Sequence, residues 1–219
     1  MKISPIMREY LGEIYRLARS AEGVSTSALA ERLEVSPSAV ARMLRRLDAA
    51  KMLTHVPYKG VQLTPQGERE ALASIRRHRL LEVFLVKVMG FHWDEVHEQA
   101  HGLQLTITDA FEDHMDIVAG FPTHCPHGDP IPTKEGRMAA THDCPLPELP
   151  ANTPAVLRRV KTDDGEKLRY LEELGLMPGS PVRIVHRAPF NGPLRLQANG
   201  RDHVIGMELA KALRVEVAG

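Results

Sequence analysis

Three amphipathic segments with apolar residues at helical spacing occupy the first fifty residues of the chain. They cover residues 5–20, 27–33 and 37 to about 50, and a serine or threonine stands directly before the second and the third. Such residues cap helices because their hydroxyl oxygen accepts a backbone N–H that the first turn leaves unpaired. A helix, a tight turn and a second capped helix are the elements of a helix-turn-helix, which we predict at residues 27–50.

Alternating apolar and polar residues replace the helical spacing at residues 53–56 and 61–64. A period of two is typical of strands, and Tyr58-Lys59-Gly60 between these runs suits a tight turn. A two-stranded hairpin directly after a helix-turn-helix predicts a winged helix.

The longest helical pattern in the chain follows this hairpin. It starts at Thr64-Pro65, a cap followed by proline at the first helical position, and its apolar spacing continues to Val88. After the break Met89-Gly90-Phe91-His92, a second long helix is predicted from Asp94, as its cap, to Ala119.

Proline becomes dense between Gly120 and Pro150, and the period of the pattern then changes. Because proline disfavours regular structure, this segment is predicted to be a loop and linker that ends at a domain boundary near residue 150. Several short strands in the remaining residues, about seventy of them, predict a small barrel. The predicted elements are strands at residues 156–160, 181–185, 194–197 and 213–217 and one helix at 166–174.

The combined pattern predicts a mainly α fold with small β parts, of the α+β class. We expect four parts in chain order. They are a winged-helix domain at residues 1–72, a helical domain at 73–143, a proline-rich linker at 144–153 and a small β-barrel domain at 154–219.

Composition and charge narrow the class of protein. Of 219 residues, 43% are hydrophobic, and 28 basic and 28 acidic residues give a formal net charge of zero. Any contact with nucleic acid must therefore come from a local basic patch. Because no long apolar run and no apolar core near the N-terminus is present, we predict a cytoplasmic protein without a membrane partner. Two cysteines are too few to staple such a chain.

The second helix of the predicted helix-turn-helix carries such a basic patch, with small polar residues at its N-terminal end. In a recognition helix that end meets base edges and phosphates, and a basic residue on the wing can add a phosphate contact. A solvated helix face is the alternative, but the complete order of helix, turn, helix and wing favours DNA binding. The candidate DNA-binding residues are Ser36, Pro37, Ser38, Arg42, Arg45, Arg46 and Lys59.

Two pairs of potential metal ligands lie on the long helices. His78 and Glu82 are four residues apart and share a face of the first, and His97 and His101 have the same spacing on the second. Imidazole nitrogen and carboxylate oxygen suit manganese, iron, zinc, cobalt or nickel, so the donor set leaves the metal open. A solvated charged pair would show the same spacing, and spacing does not decide between the two interpretations.

A second group of potential ligands lies in the proline-rich segment: His124, Cys125, His127, His142, Asp143 and Cys144. Thiolate and imidazole are the usual ligands of zinc, so a zinc site is one interpretation. The spacing of Cys125 and His127 is tighter than that of a zinc knuckle, and we favour a loop and linker here.

The motifs in this order resemble the diphtheria toxin repressor family of metal-dependent transcription regulators. The resemblance rests on the Ser36-Pro37-Ser38 helix, the Tyr58-Lys59-Gly60 wing, residues 76–82, Val96-His97-Glu98 and residues 126–132. It implies a cytoplasmic homodimeric repressor of manganese or iron homeostasis genes that binds a palindromic operator in double-stranded DNA when metal is bound. It also implies that residues 73–143 bind metal and dimerise. Residues 171–180 resemble the SH3-like domain shared by these regulators and a small ferrous-iron transport protein.

The resemblance further implies two metal sites. The ancillary site of the family takes a His and a Glu four residues apart and a later His, which match His78, Glu82 and His97. Members with a C-terminal domain add oxygen ligands from it, and the nearest positions here are Asp163, Asp164 and Glu166.

The primary site departs from the family pattern. Its positions match Glu9, His101, Gln104 and Leu105, of which Gln104 offers only a neutral carbonyl and Leu105 cannot ligate. We therefore expect the working site to be the one at His78, Glu82 and His97. Without a soft Met or Cys ligand we expect Mn(II), then Fe(II), while Zn, Co, Ni or Cd could bind in vitro.

Three alternatives remain open from the sequence. A metal-dependent hydrolase is the first, but no HExxH helix, nucleophile with an adjacent base or glycine-rich phosphate loop supports it, and we expect neither an enzyme nor a small-molecule substrate. The second is a DNA-binding regulator that has lost its metal switch, as the altered primary site would allow. The third is a metal storage or delivery module, and the arginines of the predicted recognition helix, Arg42, Arg45 and Arg46, argue against it.

Overall fold

The computed structural model describes residues 3–19 and 23–218. Ser20, the end of the first predicted helix, lies outside the described residues. The chain divides into two compact units. Unit 1 contains residues 1–81, 101–114 and 131–138, and unit 2 contains residues 82–100, 115–130 and 139–219.

Unit 1 begins with helices α1 (Pro5–Ala18), α2 (Thr26–Arg32) and α3 (Pro37–Ala49). Serine caps all three, because the hydroxyl oxygens of Ser4, Ser25 and Ser36 accept backbone N–H groups of the first turns. Strands β1 (Leu53–Val56) and β2 (Gly60–Leu63) pair antiparallel after α3. These elements confirm the predicted winged helix-turn-helix.

The wing requires glycine at position 60. Its φ is +91°, and a Cβ there would lie 2.1 Å from the carbonyl oxygen of Val24. This close approach lets Val24 pair with Val61 as an isolated bridge, which closes the hairpin against the segment before α2. The buried core under these elements contains Leu11, Ile14, Leu29, Val40, Leu47 and Leu53.

Helix α4 (Pro65–Lys87) is the longest element, with 23 residues. As predicted, Thr64 caps it: Thr64 Oγ1 accepts the N–H of Gly67 at 3.1 Å and donates to the carbonyl of Lys51 at 2.8 Å. The division between the two units falls within this continuous helix. In the described part of the chain, neither α4 nor another helix is both long and apolar enough to cross a membrane.

The prediction of a second long helix from Asp94 to Ala119 was wrong. The structure has two shorter helices there, α5 (Val96–Leu103) and α6 (Asp109–Val118). Thr106 ends α5 by donating from its N–H and its hydroxyl to the carbonyl of Leu103, and Thr108 caps α6. Asp94 does not cap α5, which starts two residues later. Its carboxylate instead contacts His92 and Arg169.

Unit 2 carries an antiparallel sheet with strand order β3-β8-β4-β5-β6-β7. Leu157, Leu171, Ile184, Leu196 and Val215 are fully buried in its core. The element bounds are β3 (Cys144–Pro145), β4 (Ala155–Val160), α7 (Gly165–Glu173), β5 (Pro181–Arg187), β6 (Leu194–Ala198), β7 (Arg201–Ile205), α8 (Met207–Ala212) and β8 (Leu213–Val217).

Part of the predicted proline-rich linker belongs to this sheet and its core. Cys144–Pro145 pairs with β8, and a 3-10 turn at Leu146–Glu148 follows. Leu146 and Leu149 are fully buried. The prolines therefore shape a short edge strand and a tight turn, because they remove N–H donors at positions where the backbone does not need them.

Candidate metal centre

His78 and Glu82 lie one turn apart on α4, and both are buried, with 4% and 3% of their surface exposed. A solvated pair, the alternative that the sequence left open, is excluded by this burial. Taking an ionised carboxylate out of water is costly unless hydrogen bonds or a cation compensate its charge. The same turn of α4 thus presents an imidazole and a carboxylate where a cation is favourable.

His97 on α5 brings a third donor. Its Nδ1 lies 3.2 Å from Oε1 of Glu82, and its Nε2 lies 3.7 Å from Oδ2 of Asp163. The candidate ligand atoms of His78, Glu82 and His97 all lie within 4.8 Å of one another. Ligands at about 2.0–2.2 Å from one ion are roughly 3–4 Å apart, so small side-chain rotations would let all three reach the same divalent cation. The donor set therefore fits a metal ion.

The structure separates the three acids suggested for the C-terminal part. Asp163 approaches His97, whereas Asp164 caps α7 by accepting the N–H groups of Glu166 and Lys167 at 3.0 and 3.2 Å. The hydrogen bond from the Lys167 N–H contributes most to a lowered pKa of the Asp164 carboxyl. Glu166 is exposed on the first turn of α7. Asp163 is thus the acid nearest to the candidate centre.

The altered primary-site positions form a pair in unit 1. Nε2 of His101 lies 2.8 Å from Oε1 of Glu9. Burial raises the pKa of Glu9 and the neighbouring His101 opposes this effect. Gln104 is buried just beyond α5, and Leu105 follows it. Among the described residues, no third His, Cys, Asp or Glu donor completes a metal-sized cluster with the pair.

A further donor cluster, which the sequence interpretation missed, joins Glu82 to Cys125 and His127 in unit 2. All three residues are buried, and Nδ1 of His127 lies 3.8 Å from Oε2 of Glu82. Asp143, which the sequence places among the same potential ligands, pairs instead with Arg159 and Arg214. The tight Cys125-x-His127 spacing was the available signal, but it did not reveal Glu82 as the partner.

The candidate DNA-binding side chains lie on the surface of the winged helix. Val40, Leu44 and Leu47 bury one face of α3, so its arginines lie on the other, exposed face. Ser36 Oγ accepts the N–H of Ala39, which fixes the helix start. Tyr58, fully exposed at the tip of the wing, was not among the predicted residues. The exposed candidates are Ser36, Pro37, Ser38, Arg42, Arg45, Arg46 and Lys59.

Three family models match consecutive parts of the chain. Residues 2–61 match the iron dependent repressor N-terminal DNA binding domain, residues 64–133 its metal binding and dimerisation domain, and residues 144–217 the FeoA domain. They correspond to the winged helix, the helical segment with the candidate centre, and the C-terminal sheet.

Complete relatives share this arrangement. The chain is 30% identical to the iron-dependent repressor IdeR of Mycobacterium leprae (strain TN), with 94% of this chain and 95% of IdeR covered. It is 27% identical to the diphtheria toxin repressor of Corynebacterium diphtheriae, again with 94% and 95% covered.

Solved structures of metal-dependent repressors also superpose on this chain. A manganese-dependent transcriptional repressor in complex with manganese superposes with a TM-score of 0.91 at 34% identity, with 97% of this chain and 100% of the other covered. ScaR with bound Cd2+ superposes with a TM-score of 0.83 at 31% identity, with 97% and 99% covered. The resemblance to the diphtheria toxin repressor family and the predicted fold class are confirmed. The chain therefore belongs to the iron-dependent repressor family of metal-dependent, DNA-binding transcriptional regulators.

Proposed function

We propose that this chain is a homodimeric repressor of manganese or iron homeostasis genes, whose affinity for a palindromic operator is set by a divalent ion at His78, Glu82 and His97. The observation that carries the proposal is the convergence of these three donors within 4.8 Å, with His78 and Glu82 buried and His97 partly buried. Asp163 is the acid best placed to add an oxygen ligand, since it already approaches His97.

The donor set supports Mn(II) first and Fe(II) next. Two imidazoles and carboxylate oxygens form a borderline to hard set without a thiolate. Zn(II), Co(II), Ni(II) or Cd(II) could bind the same atoms in vitro, since raw affinity rises along the divalent series towards copper. When bound, the ion would supply the positive charge that compensates Glu82 in its buried position.

Helix α4 supports a coupling between this centre and the wing. At its start, Thr64 Oγ1 donates to Lys51, and a Cβ on Gly67 would lie 1.8 Å from the carbonyl oxygen of Met52. The helix is therefore held closely against the end of α3 and the start of β1. A filled centre would fix α5 against α4, and α4 would pass that constraint to the winged helix.

Operator recognition is assigned to α3 and the wing. Arg42, Arg45 and Arg46 give this surface local positive charge in a chain with no net charge. In a twofold symmetric dimer, two such helices meet half-sites about one helical turn apart, which makes a palindromic operator the natural target. Exposed apolar residues on and after α6, Ile117, Val118 and Phe121, support dimerisation through this region.

A regulator without a metal switch is the second candidate function. The observation that favours it is the direct contact between Glu9 and His101, which lets two positions of the primary site satisfy each other without an ion. In that case the operator would be bound equally well with and without metal.

The test is operator binding by chelator-treated protein, measured with and without Mn(II) for wild type, His78→Gln and His101→Gln. Genomic DNA fragments upstream of candidate genes serve as probes. We expect Mn(II) to tighten binding of wild type and His101→Gln by at least about tenfold, but not of His78→Gln, since a coupling of 1–3 kcal/mol is typical. Binding that is equally tight with and without metal in all three proteins would support the second candidate.

A further inference from the structure

A cavity of about 350 Å³ lies in unit 1, between the start of α1, the first half of α4, the turn after α5 and the first turns of α6. The described residues that line it all belong to unit 1, so one compact part of the chain holds it. They do not include His78, Glu82 or His97. The cavity is therefore separate from the proposed metal centre.

A buried amide without a protein partner lines this cavity. Gln104 is only 8% exposed, and its side-chain amide forms no hydrogen bond with another described residue. The amide is not sealed in protein either, because its atoms keep accessible surface. Since buried polar groups are normally hydrogen-bonded, the partner of this amide has to come from the contents of the cavity.

Two other side chains that line the cavity have unused donors. The hydroxyl of Ser74, a half-buried residue on α4, forms no hydrogen bond with another described residue. Arg8 donates from Nε to Oε2 of Glu70 at 2.7 Å, and its two terminal nitrogens form no hydrogen bond within the described part of the chain. Together with the amide of Gln104, these groups present N–H and O–H donors to whatever occupies the cavity.

The charges around the cavity leave one basic side chain over. Five basic and four acidic residues line it, and each of the four acids contacts one of the basic residues. These pairs are Glu70 with Arg8, Asp109 and Glu112 with Arg77, and Asp113 with Lys134. Arg69 is exposed and has no ion pair with another described residue. The excess charge is therefore positive and lies at Arg69.

The size of the cavity points to an organic molecule. A water molecule occupies about 30 Å³ of liquid, so the cavity has room for about ten waters, and an inorganic oxyanion would fill only a small part of it. Pro5, Ala73 and Leu105 add apolar surface to the lining. A pocket with apolar walls and a few polar groups is typical of small-molecule sites.

We propose that this cavity binds a small organic anion that carries a carboxylate or phosphate group. The planar guanidinium of Arg69 matches the geometry of either group, and two parallel hydrogen bonds to it are the strongest contact that the cavity offers. Gln104 and Ser74 then pair with hydroxyl or carbonyl oxygens on the body of the ligand. The carbon atoms of the ligand pack against the apolar part of the lining. This proposal does not depend on metal control of DNA binding.

The walls of the cavity give the site the position of an effector site. Helix α1 lies in the part of the chain that matches the DNA binding domain, whereas α4 and α6 lie in the part that matches the metal binding and dimerisation domain. A ligand that contacts all three helices stabilises the arrangement in which they meet. The chain would then respond to an organic anion as well as to a metal ion.

The test is ligand binding by chelator-treated full-length protein, measured by saturation-transfer difference NMR without metal or DNA. The probes are glycerate, glycerol 3-phosphate and citrate, with glycerol as the neutral control of similar shape. We expect at least one of the three anions to bind with a dissociation constant below about 1 mM, and glycerol to show no binding. Comparison of glycerate with glycerol 3-phosphate then shows whether the site prefers a carboxylate or a phosphate group. Absence of saturation transfer to all three anions would mean that water alone fills the cavity, which overturns the proposal.

Three variants locate the site. Arg69→Gln and Gln104→Leu should each weaken anion binding at least about tenfold, because a hydrogen bond to a charged group is typically worth more than one tenfold step in affinity. Arg201→Gln, which removes another exposed arginine without an ion pair to a described residue, is the matched control and should bind as wild type does. Equal affinities of wild type and Arg69→Gln, or an equal loss in Arg201→Gln, would overturn the assignment to this cavity. Arg69 is on the surface, so its substitution should leave the circular dichroism spectrum unchanged.

Discussion

Nδ1 of His97 lies 3.2 Å from Oε1 of Glu82, across 15 residues of sequence that contain a helix end and a turn. The other ring nitrogen of His97 faces Asp163. One imidazole therefore stands between two carboxylates, and a second imidazole, His78, lies one turn before Glu82 on α4. Two carboxylates beside imidazole nitrogens favour a divalent cation, which explains why burial of Glu82 is tolerable in a metal-regulated protein.

Removal of the carboxylate charge at this centre should weaken metal binding strongly. We expect Glu82→Gln to lower Mn(II) affinity about 10- to 100-fold, because the neutral amide keeps the size of the side chain but not its charge. Isothermal titration calorimetry of chelator-treated protein measures the effect. Glu98→Gln, an exposed acid on α5, is the matched control and should bind as wild type does. Equal affinities of Glu82→Gln and wild type would contradict the assignment.

The Glu9 and His101 pair should contribute little to Mn(II) binding. It lacks a third charged or imidazole donor among the described residues, and Gln104 can add only a neutral oxygen. We expect Glu9→Gln and His101→Gln to change Mn(II) affinity less than about threefold, which corresponds to less than 1 kcal/mol. The same calorimetric titration decides this. If Glu9→Gln or His101→Gln lowered Mn(II) affinity more than His97→Gln does, the working metal centre would instead be at the primary-site positions.

The arginines of α3 should govern DNA affinity through phosphate or base contacts. We expect Arg42→Ala and Arg45→Ala each to weaken operator binding by about 1–3 kcal/mol. If the lost contact is to a phosphate, the slope of log affinity against log salt should fall by about one. Fluorescence anisotropy at several salt concentrations measures both quantities. Lys211→Ala, an exposed base on α8, is the control, and a similar loss in that variant would mean that general charge drives binding.

Local sequence signals correctly predicted most of the secondary structure in the first eighty residues. Ser36 and Thr64 cap α3 and α4 where the sequence suggested, because such caps need only a side chain and the N–H groups of the next turn. The break between α5 and α6 was missed, since the apolar spacing continues through it. Thr106 and Thr108 cause this break, because their side chains form hydrogen bonds with neighbouring backbone groups in place of the hydrogen bonds of a continuous helix.

Long-range features escaped the sequence interpretation. Strand β7 lies at the edge of its sheet and exposes most of its residues, so it shows no apolar run. The spacing of His78 and Glu82 is local and was recognised. That Cys125 and His127 approach Glu82 depends on the anchoring of their turn against β4, which no spacing encodes.

An exposed apolar residue on α6 should matter for assembly. Val118 is 59% exposed at the end of α6, within the residues that match the metal binding and dimerisation domain. We expect Val118→Lys to raise the dimer dissociation constant at least about tenfold, because it places a charge in a desolvated contact. Sedimentation velocity over a concentration series measures it. The control is Val204→Lys on β7, which replaces a similarly exposed valine and should leave the dimer intact. Equal effects of the two substitutions on the dissociation constant would argue against a dimer contact at α6.

The buried pairing of Asp143 with two arginines should make unit 2 sensitive to acid. Burial opposes ionisation of Asp143, but hydrogen bonds from Arg159 and Arg214 outweigh it and hold the pKa of this carboxyl below its ordinary value. A pKa lowered by folding adds stability that is fully present above the unfolded value of about 4 and is lost as the pH falls towards the folded value.

The substitution Asp143→Asn tests this pairing. We expect it to lower the free energy of unfolding by about 3 kcal/mol at neutral pH, because Asp129 would then be the one acidic partner of the buried Arg159 guanidinium among the described residues. The difference between the variant and wild type should shrink below pH 4. Urea unfolding followed by circular dichroism at pH 7 and pH 3 measures both effects. Asp202→Asn, in the exposed pair with Arg195, should cost less than about 1 kcal/mol. If Asp143→Asn lowered the free energy of unfolding equally at both pH values, the contribution of Asp143 would come from packing and not from its charge.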